Sequence, residues 1–225
     1  MVRAVLLDLF ETLVTESRTQ PTRASSVGDA LGLEREAFRV EWKARRPRVV
    51  LGRLSFGEAL TEISKALTGR VDPAAVERVC GQRIREKAIA FAAVDEEVAA
   101  LISQLRGQGL SLAVISNCFA EDVSAWPTWP LAREFQCAVF SYVVGVAKPD
   151  PEIYLKATRG LGVESDTAVF IGDGGDDELV GAERTGLRAF RADWFLRRGS
   201  HAGSSNGGSV GLANPHDVLS IVTGW

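Results

Sequence analysis

Four polar groups follow apolar runs of strand length in this chain of 225 residues, and their types suit chemistry. Asp8 ends the largely apolar run 2–7, and Ser116-Asn117 ends the run 110–115. Lys148 lies one short loop past the run 137–143, and Asp173, Asp177 and Glu178 follow the run 167–171. In an open parallel sheet, ligands sit in the crevice outside the carboxyl ends of the strands, which is where a reacting group would stand. Each group also has a plainer account. Asp8 and Ser116 are common helix caps. Lys148 could be a surface residue before a turn-forming proline, and the acidic run a solvated first turn favoured by the helix dipole. Four ordinary residues at four successive strand ends is a harder account than four converging ones.

The elements that must position them alternate. After the polar turn 9–13 the pattern becomes helical for about eighty residues by periodicity. Helices are expected over 22–31, over 34–46 with Pro47 as the stop, and over 56–67, opened by the capping box Ser55/Glu58 and stopped by Gly69. Asp72-Pro73 then reads as an N-cap with proline in the first helical position, starting a helix to Ala90. That block is too long for an ordinary crossover, whose loops are short, and is better read as an inserted helical subdomain. A helix over 95–106 returns to the main body. Strands are expected over 110–115, 137–143, 167–171 and 187–191, with a helix over 150–159 ended by Gly160 and Gly162, a short helix to Thr185 and a last helix over 217–222. The Gly/Ser/Asn-rich stretch 199–211 reads as a surface loop. The expected fold is α/β: a Rossmann-like, three-layer parallel-sheet core over 1–13 and 92–225, with an α-helical cap over 14–91.

Composition narrows the partners. A hydrophobic content of 46% and a charged content of 24% are ordinary for a globular chain. A formal charge of −3 gives no reason to expect nucleic acid or an anionic membrane. No apolar stretch approaches the roughly 20 residues of a membrane helix, and Asp8 interrupts the N-terminal apolar run too early for a secretory signal. Cys80, Cys118 and Cys137 form no CxxC pair and are odd in number, which fits a reducing cytosol and a cytoplasmic protein. Cys118 lies near the suspected site, but His201 and His216 are the only histidines, so a Cys–His pair is a poor reading.

At these residues the sequence resembles the haloacid dehalogenase (HAD) superfamily over nearly its whole length. Asp8-Leu9-Phe10-Glu11-Thr12-Leu13 is similar to its first motif, Ile115-Ser116-Asn117 to the second, and Gly145-Val146-Ala147-Lys148-Pro149-Asp150-Pro151 to the third. The stretch from Gly172-Asp173 through Asp177-Glu178 to Ala182 is similar to the fourth. One such motif is weak; four in order are specific. The helical insert resembles the family's small cap, which closes over the site and selects substrates. The resemblance implies Asp8 as a nucleophile that forms a covalent aspartyl intermediate. It implies Mg²⁺ held by Asp8, the backbone carbonyl of Phe10 and Asp173, with Asp177 as an outer metal or water-orienting carboxylate and Glu178 second to it. Lys148 would offset charge, while the Ser116 hydroxyl and the Asn117 N–H would hold phosphoryl oxygens.

One position departs from the pattern. Phosphatases of the superfamily usually carry a second Asp two residues after the nucleophile, as acid and base, help worth roughly 10²–10⁴-fold. Here that residue is Phe10, and neighbouring Glu11 is expected to point elsewhere. Phe10 favours a 2-haloacid dehalogenase, which needs no metal, whereas Asp173 and its acidic neighbours favour a Mg²⁺-dependent phosphatase acting on a small phosphorylated metabolite. A catalytically weak binding or regulatory homologue is the third reading. The phosphatase is preferred, with a small anionic substrate and a monomer or homodimer. The cap carries Trp42, Lys43, Arg45, Arg46, Arg48 and Arg53, read first as a solvated basic face; the sharper expectation is that Arg45 or Arg46 reaches an anionic substrate. Trp126, Pro127, Trp129 and Pro130 are expected to pack on the sheet edge or at a dimer contact.

Overall fold

The computed structural model describes residues 1–16, 24–195 and 210–224. Six strands form one parallel sheet in the order β3-β2-β1-β4-β5-β6: β1 (Ala4–Asp8), β2 (Ser111–Ser116), β3 (Cys137–Phe140), β4 (Ala168–Gly172), β5 (Arg188–Ala192) and β6 (Gly211–Leu212). The chain leaves β1 towards β2 and β3, then returns to β4 on β1's other side. The strand order therefore reverses between β1 and β4, which is the position where open α/β sheets place their ligands.

The alternation of side chains along each strand explains the two faces. Val5, Leu7, Leu112, Val114, Val169 and Ile171 point into one apolar layer, closed by α5 (Glu96–Gly107) and α9 (Asp217–Thr223). Leu6, Ala113, Ile115 and Phe170 point into the other, closed by α7 (Pro151–Leu161) and α8 (Glu178–Glu183). With both faces covered, the strands read as continuous apolar runs, as parallel strands do. The Trp126/Trp129 stretch packs on the first layer: Trp129 is buried, and Trp126 touches Trp129, Phe135 and Phe140 with ring centroids 5.4, 5.6 and 5.6 Å away.

Between β1 and β2 lies the helical insert, with α1 (Ala24–Ala30), α2 (Arg35–Val50), α3 (Phe56–Thr68) and α4 (Pro73–Ala92) ahead of α5. The Ser55/Glu58 capping box opens α3, the Asp72 side chain caps α4, and Gly69 in the left-handed region closes α3. The insert has its own apolar cluster around Phe38, Leu60 and Ile63, and Phe119, from the loop after β2, plugs into it. Phe119 stacks on Phe56 at 5.9 Å and meets the edge of Trp42 at 5.8 Å.

Four local expectations are corrected. Pro47 does not stop α2, which runs on to Val50. A helical proline costs about 3 kcal/mol, and burying Val49 and Val50 returns about 1.5–3 kcal/mol each. The strand expected over 137–143 ends at Phe140, because the buried Ser141 hydroxyl donates to the Cys118 carbonyl and accepts from the Cys118 N–H, turning the chain into α6 (Ser141–Val144). Gly160 stays inside α7, where it packs against Cys137. Within the stretch 199–211, Gly211 opens β6 instead of lying in a loop; 199–209 fall outside the described residues, as do positions 22 and 23 of the first expected helix.

Since Phe119 is the core's side chain in the insert's cluster, Phe119→Ala should lower stability by about 3 kcal/mol. Urea denaturation checks this; a change within 0.5 kcal/mol, the ordinary range of roughly neutral surface substitutions, would mean the cap does not depend on that plug.

Candidate active site

Sheet register brings the strand ends together. Asp8 pairs with Ile115 of β2, so Ser116 stands one residue further along that edge, and Leu7 pairs with Ile171, so Gly172 and Asp173 follow beside Asp8. Lys148 arrives from the loop between α6 and α7, and the Asn117 side chain fixes it. Asn117 Oδ1 accepts from the Lys148 backbone N–H at 2.8 Å, and Asn117 Nδ2 donates to the Lys148 carbonyl at 2.9 Å. The sequence assigned Asn117 a backbone role; its side chain is what sets the height of the lysine.

At the centre is a buried cluster of charges. The Lys148 ammonium donates to Asp8 Oδ1 and to Glu178 Oε2, and all three side chains are nearly inaccessible. Glu178 Oε1 accepts from the Gly174 N–H at 2.9 Å, and the Glu178 carbonyl accepts from the buried Tyr154 hydroxyl at 2.7 Å. Gly172 makes room for this: a Cβ there would lie 2.1 Å from Glu178 Oε1. Asp8, Asp173 and Glu178 each offer an oxygen, all within 4.8 Å of one another. An all-carboxylate donor set suits a hard cation such as Mg²⁺. Lys148 and the Gly174 N–H engage both Glu178 oxygens, so Asp8 Oδ2 and Asp173 are the freer donors.

Asp177, ranked ahead of Glu178 by sequence, lies exposed in the cleft lining, while Glu178 is buried in the cluster. The signal for Glu178 was its position: as the first residue of α8 it turns inward, towards the space that Gly172 leaves open.

Burial sets the protonation of the cluster. It pushes the Asp8 carboxyl up to about 6, against the opposing pull of Lys148 and with some help from Asp173. Burial likewise lifts Glu178 to about 8, with Lys148 again opposing. For Lys148, burial favours the neutral amine, but Asp8 and Glu178 outweigh it and its pKa rises. Burial, followed by Asp122, pushes the Cys118 thiol up, so it is no thiolate nucleophile at neutral pH.

A cleft of about 370 Å³ runs between the core and the cap and reaches the cluster at Lys148. Asn117, Lys148 and Asp176 line it from the core, and Arg46, Pro47 and Val50 from the cap helix α2. The cap arginines divide. Arg45 is tied to Glu41 and, at 3.1 Å, to Glu62, and Arg48 also pairs with Glu62 at 3.2 Å; Arg46 faces the cleft. Trp42 is packed among Phe38, Phe56 and Phe119. Arg53 lines a separate hollow beside Phe119 and Tyr142.

Phe10 is half-buried, with its ring edge-on to Phe91 at 6.3 Å. The Lys87 ammonium of α4 sits 4.1 Å from the Phe10 ring centroid and pairs with Glu16 at 2.5 Å. The Glu11 carboxylate accepts from the Thr15 hydroxyl at 2.8 Å and the Glu16 N–H at 2.7 Å, so it braces its own turn.

Comparison with known proteins places the chain in a family. The family model for haloacid dehalogenase-like hydrolases matches residues 2–184. The glyceraldehyde 3-phosphate phosphatase of Methanopyrus kandleri is 26% identical over 210 residues, covering 89% of this chain and 86% of that protein. Among solved structures, a 2-haloacid dehalogenase from Pseudomonas syringae superposes with a TM-score of 0.67 at 20% identity, over 100% of both chains. A HAD family enzyme of Bacteroides thetaiotaomicron, solved as a magnesium complex, gives 0.63 at 17% identity, covering 84% of this chain and 92% of that one. No helix among the described residues is long and apolar enough to cross a membrane.

Both raised carboxyls hold protons in the folded chain that the unfolded chain has released. Metal-free stability should therefore fall as pH rises from about 4 to about 8, through the interval between the ordinary carboxylate values and those of Asp8 and Glu178. A divalent cation binds the ionised forms, so its gain in melting temperature should be larger at pH 8 than at pH 5. Thermal melts of the wild type and Asp8→Asn check this. An equal gain at both pH values, or one that Asp8→Asn leaves intact, would place the cation away from this cluster.

Proposed function

The chain belongs to the haloacid dehalogenase-like hydrolase family, and on that premise we propose that it is a Mg²⁺-dependent phosphatase of small phosphorylated metabolites, working through an aspartyl-phosphate at Asp8. The observation that carries this reading is the carboxylate group Asp8, Asp173 and Glu178 gathered around Lys148 at the switch point of the sheet. Displacement of halide from carbon brings no phosphoryl dianion to the nucleophile and so has no need for three converging acids. A phosphate ester dianion needs its charge offset, and a magnesium-bound relative and a phosphatase relative fit the same reading.

The steps follow from this chain's groups. Lys148 holds Asp8 ionised against the pull of burial and places positive charge beside the incoming phosphoryl group. Ser116, through its hydroxyl, and Asn117, through its backbone N–H, donate to phosphoryl oxygens, so positioning and electrostatics supply most of the rate. An Asp8 oxygen then attacks phosphorus, the ester's P–O bond breaks, and the leaving oxygen departs as a phenolate or alkoxide that takes its proton from water. Water next attacks the aspartyl-phosphate at phosphorus, releasing phosphate and restoring the Asp8 carboxylate. When bound by Asp8, the Phe10 carbonyl and Asp173, with Asp177 further out, Mg²⁺ supplies additional positive charge to the phosphoryl oxygens. The Phe10 ring carries no transferable proton, so the first step favours esters whose alcohol leaves readily, such as aryl phosphates. The end of α2 closes the far side of the cleft.

Phe10 is also the observation that favours a second reading, displacement of halide from a 2-halo acid by Asp8. Phosphate- and halide-release assays with Mg²⁺ and with chelator separate the two. We expect phosphate from an aryl phosphate with Mg²⁺ only, and its loss in Asp8→Asn; halide release in the presence of chelator would replace this reading with the second, and neither product would indicate a binding homologue. Phe10→Asp should raise turnover of an alkyl phosphate at least tenfold, a modest part of what a general acid contributes. No gain would mean that the proton comes from another group.

A further inference from the structure

Two loops that carry reacting groups are held from one face of a single cap helix. Arg83 and Lys87 lie four residues apart on α4, a spacing that sets both side chains on the same side. The Arg83 guanidinium reaches Asp122 in the loop after β2, with Nε 2.7 Å and Nη2 2.6 Å from Oδ1. Asp122 Oδ2 accepts from the Phe119 N–H at 3.0 Å. The same guanidinium lies 4.8 Å from the Phe119 ring centroid and 5.1 Å from that of Phe56. Lys87 reaches the turn after β1, its ammonium 2.5 Å from Glu16 Oε1 and 4.1 Å from the Phe10 ring centroid. Glu16 donates its backbone N–H to Glu11, the neighbour of Phe10, and Asp122 Oδ1 lies 3.9 Å from the Lys87 ammonium. The four side chains carry two charges of each sign, and none is more than 27% exposed.

Apolar packing alone would hold α4 against the core. A balanced set of buried charges adds little net stability over such packing, because desolvation offsets most of the attraction. What it adds is a single seat: a guanidinium fork on a carboxylate and cations over ring faces are satisfied in one position only. We propose that Arg83 and Lys87 are positioning residues, each setting one loop of the active site. Arg83, through Asp122, sets the loop that carries Ser116 and Asn117 and would hold phosphoryl oxygens. Lys87 sets the Phe10 turn, whose carbonyl would face Mg²⁺. This role rests on the phosphatase reading and adds to it two cap residues that act through their neighbours and not on the substrate. The two halves are separable, because the loops leave different strands, β1 and β2. Charge alone gives the opposite sign at Lys87. Removing a cation near a cation site would tighten Mg²⁺ binding, whereas losing a positioning contact loosens it.

Calorimetry on the full-length protein tests each half, with Mg²⁺ alone and with inorganic phosphate at saturating Mg²⁺, so neither readout needs turnover. Lys87→Met should weaken Mg²⁺ binding about tenfold, the lower end of what contacts just outside a metal site contribute, and shift phosphate by less than about twofold. Lys87→Met/Glu16→Gln removes both charges of that pair and should show the same loss, with a melting temperature near that of the wild type. Arg83→Lys keeps the charge but not the planar fork, and should weaken phosphate about tenfold with Mg²⁺ within about twofold. Tighter or unchanged Mg²⁺ binding in the Lys87 variants would overturn the Lys87 assignment. Recovery in the double variant would also overturn it, by tracing the loss to an uncompensated Glu16 carboxylate. Unchanged phosphate binding in Arg83→Lys would overturn the Arg83 assignment. Loss of both ligands together with a lower melting temperature would reduce either residue to a structural role. If the wild type binds neither Mg²⁺ nor phosphate, the phosphatase reading fails and the assignment falls with it; a wild type that binds both, with unaltered variants, overturns the assignment alone.

Discussion

A lysine ammonium removed from water must be surrounded by compensating groups, and the position of Lys148 imposes that condition on much of the core. Leaving one member of a buried ion pair without its partner costs about 3–5 kcal/mol, so Asp8 and Glu178 are structural necessities before they are chemical ones. The requirement spreads outward. Glu178 needs the empty space at Gly172 and the N–H of Gly174, and Lys148 needs the Asn117 amide gripping its backbone on both sides. Two carboxylates share one ammonium, with a third, Asp173, nearby. The cluster thus keeps an excess of negative charge, which burial answers by raising the Asp8 and Glu178 pKa values and which a hard cation could answer instead.

The cap is joined to this core by packing more than by charge. Phe119 lies in the loop that follows Ser116 and carries Asn117, and it inserts among Phe56 and Trp42 of the cap. Asp122 fastens the same loop from below, accepting from the Phe119 N–H at 3.0 Å and from Arg83 of α4 at 2.7 Å. Movement of the cap therefore bears directly on the groups that would hold a phosphoryl oxygen. The Phe10 ring belongs to the same seam, with Phe91 at its edge and the Lys87 ammonium over its face. A phenyl ring at this position forfeits proton transfer and gains apolar and cation–π contact with α4, which is a physical account of how the site tolerates it.

Much of the architecture was legible because it is written in local patterns. Apolar runs of strand length, the Ser55/Glu58 capping box, Asp72-Pro73 and the glycines after helices depend on neighbours a few residues away, and the structure follows them within the usual shifts of one or two residues. Where local rules failed, a distant contact was responsible. Pro47 did not end its helix because Val49 and Val50 bury against elements far along the chain. The third strand stopped early because Ser141 bonds to Cys118 in the loop after β2.

The sequence by itself determined that Asp8, Ser116, Lys148 and an acid near Asp173 would share one edge, because strand ends in a parallel sheet have no other common place to go. It could not choose between adjacent residues. Asp177 and Glu178 are chemically alike and one step apart, as are Arg45 and Arg46, and one step along a helix or a turn redirects a side chain by roughly a quarter of a circle. Which neighbour turns inward and which faces the cleft depends on what surrounds each: the gap at Gly172 and the ammonium of Lys148 draw Glu178 into the buried cluster, and Glu41 and Glu62 hold Arg45 aside while Arg46 meets Asp176. Those facing groups lie on elements distant in sequence, and only the folded chain brings them within reach.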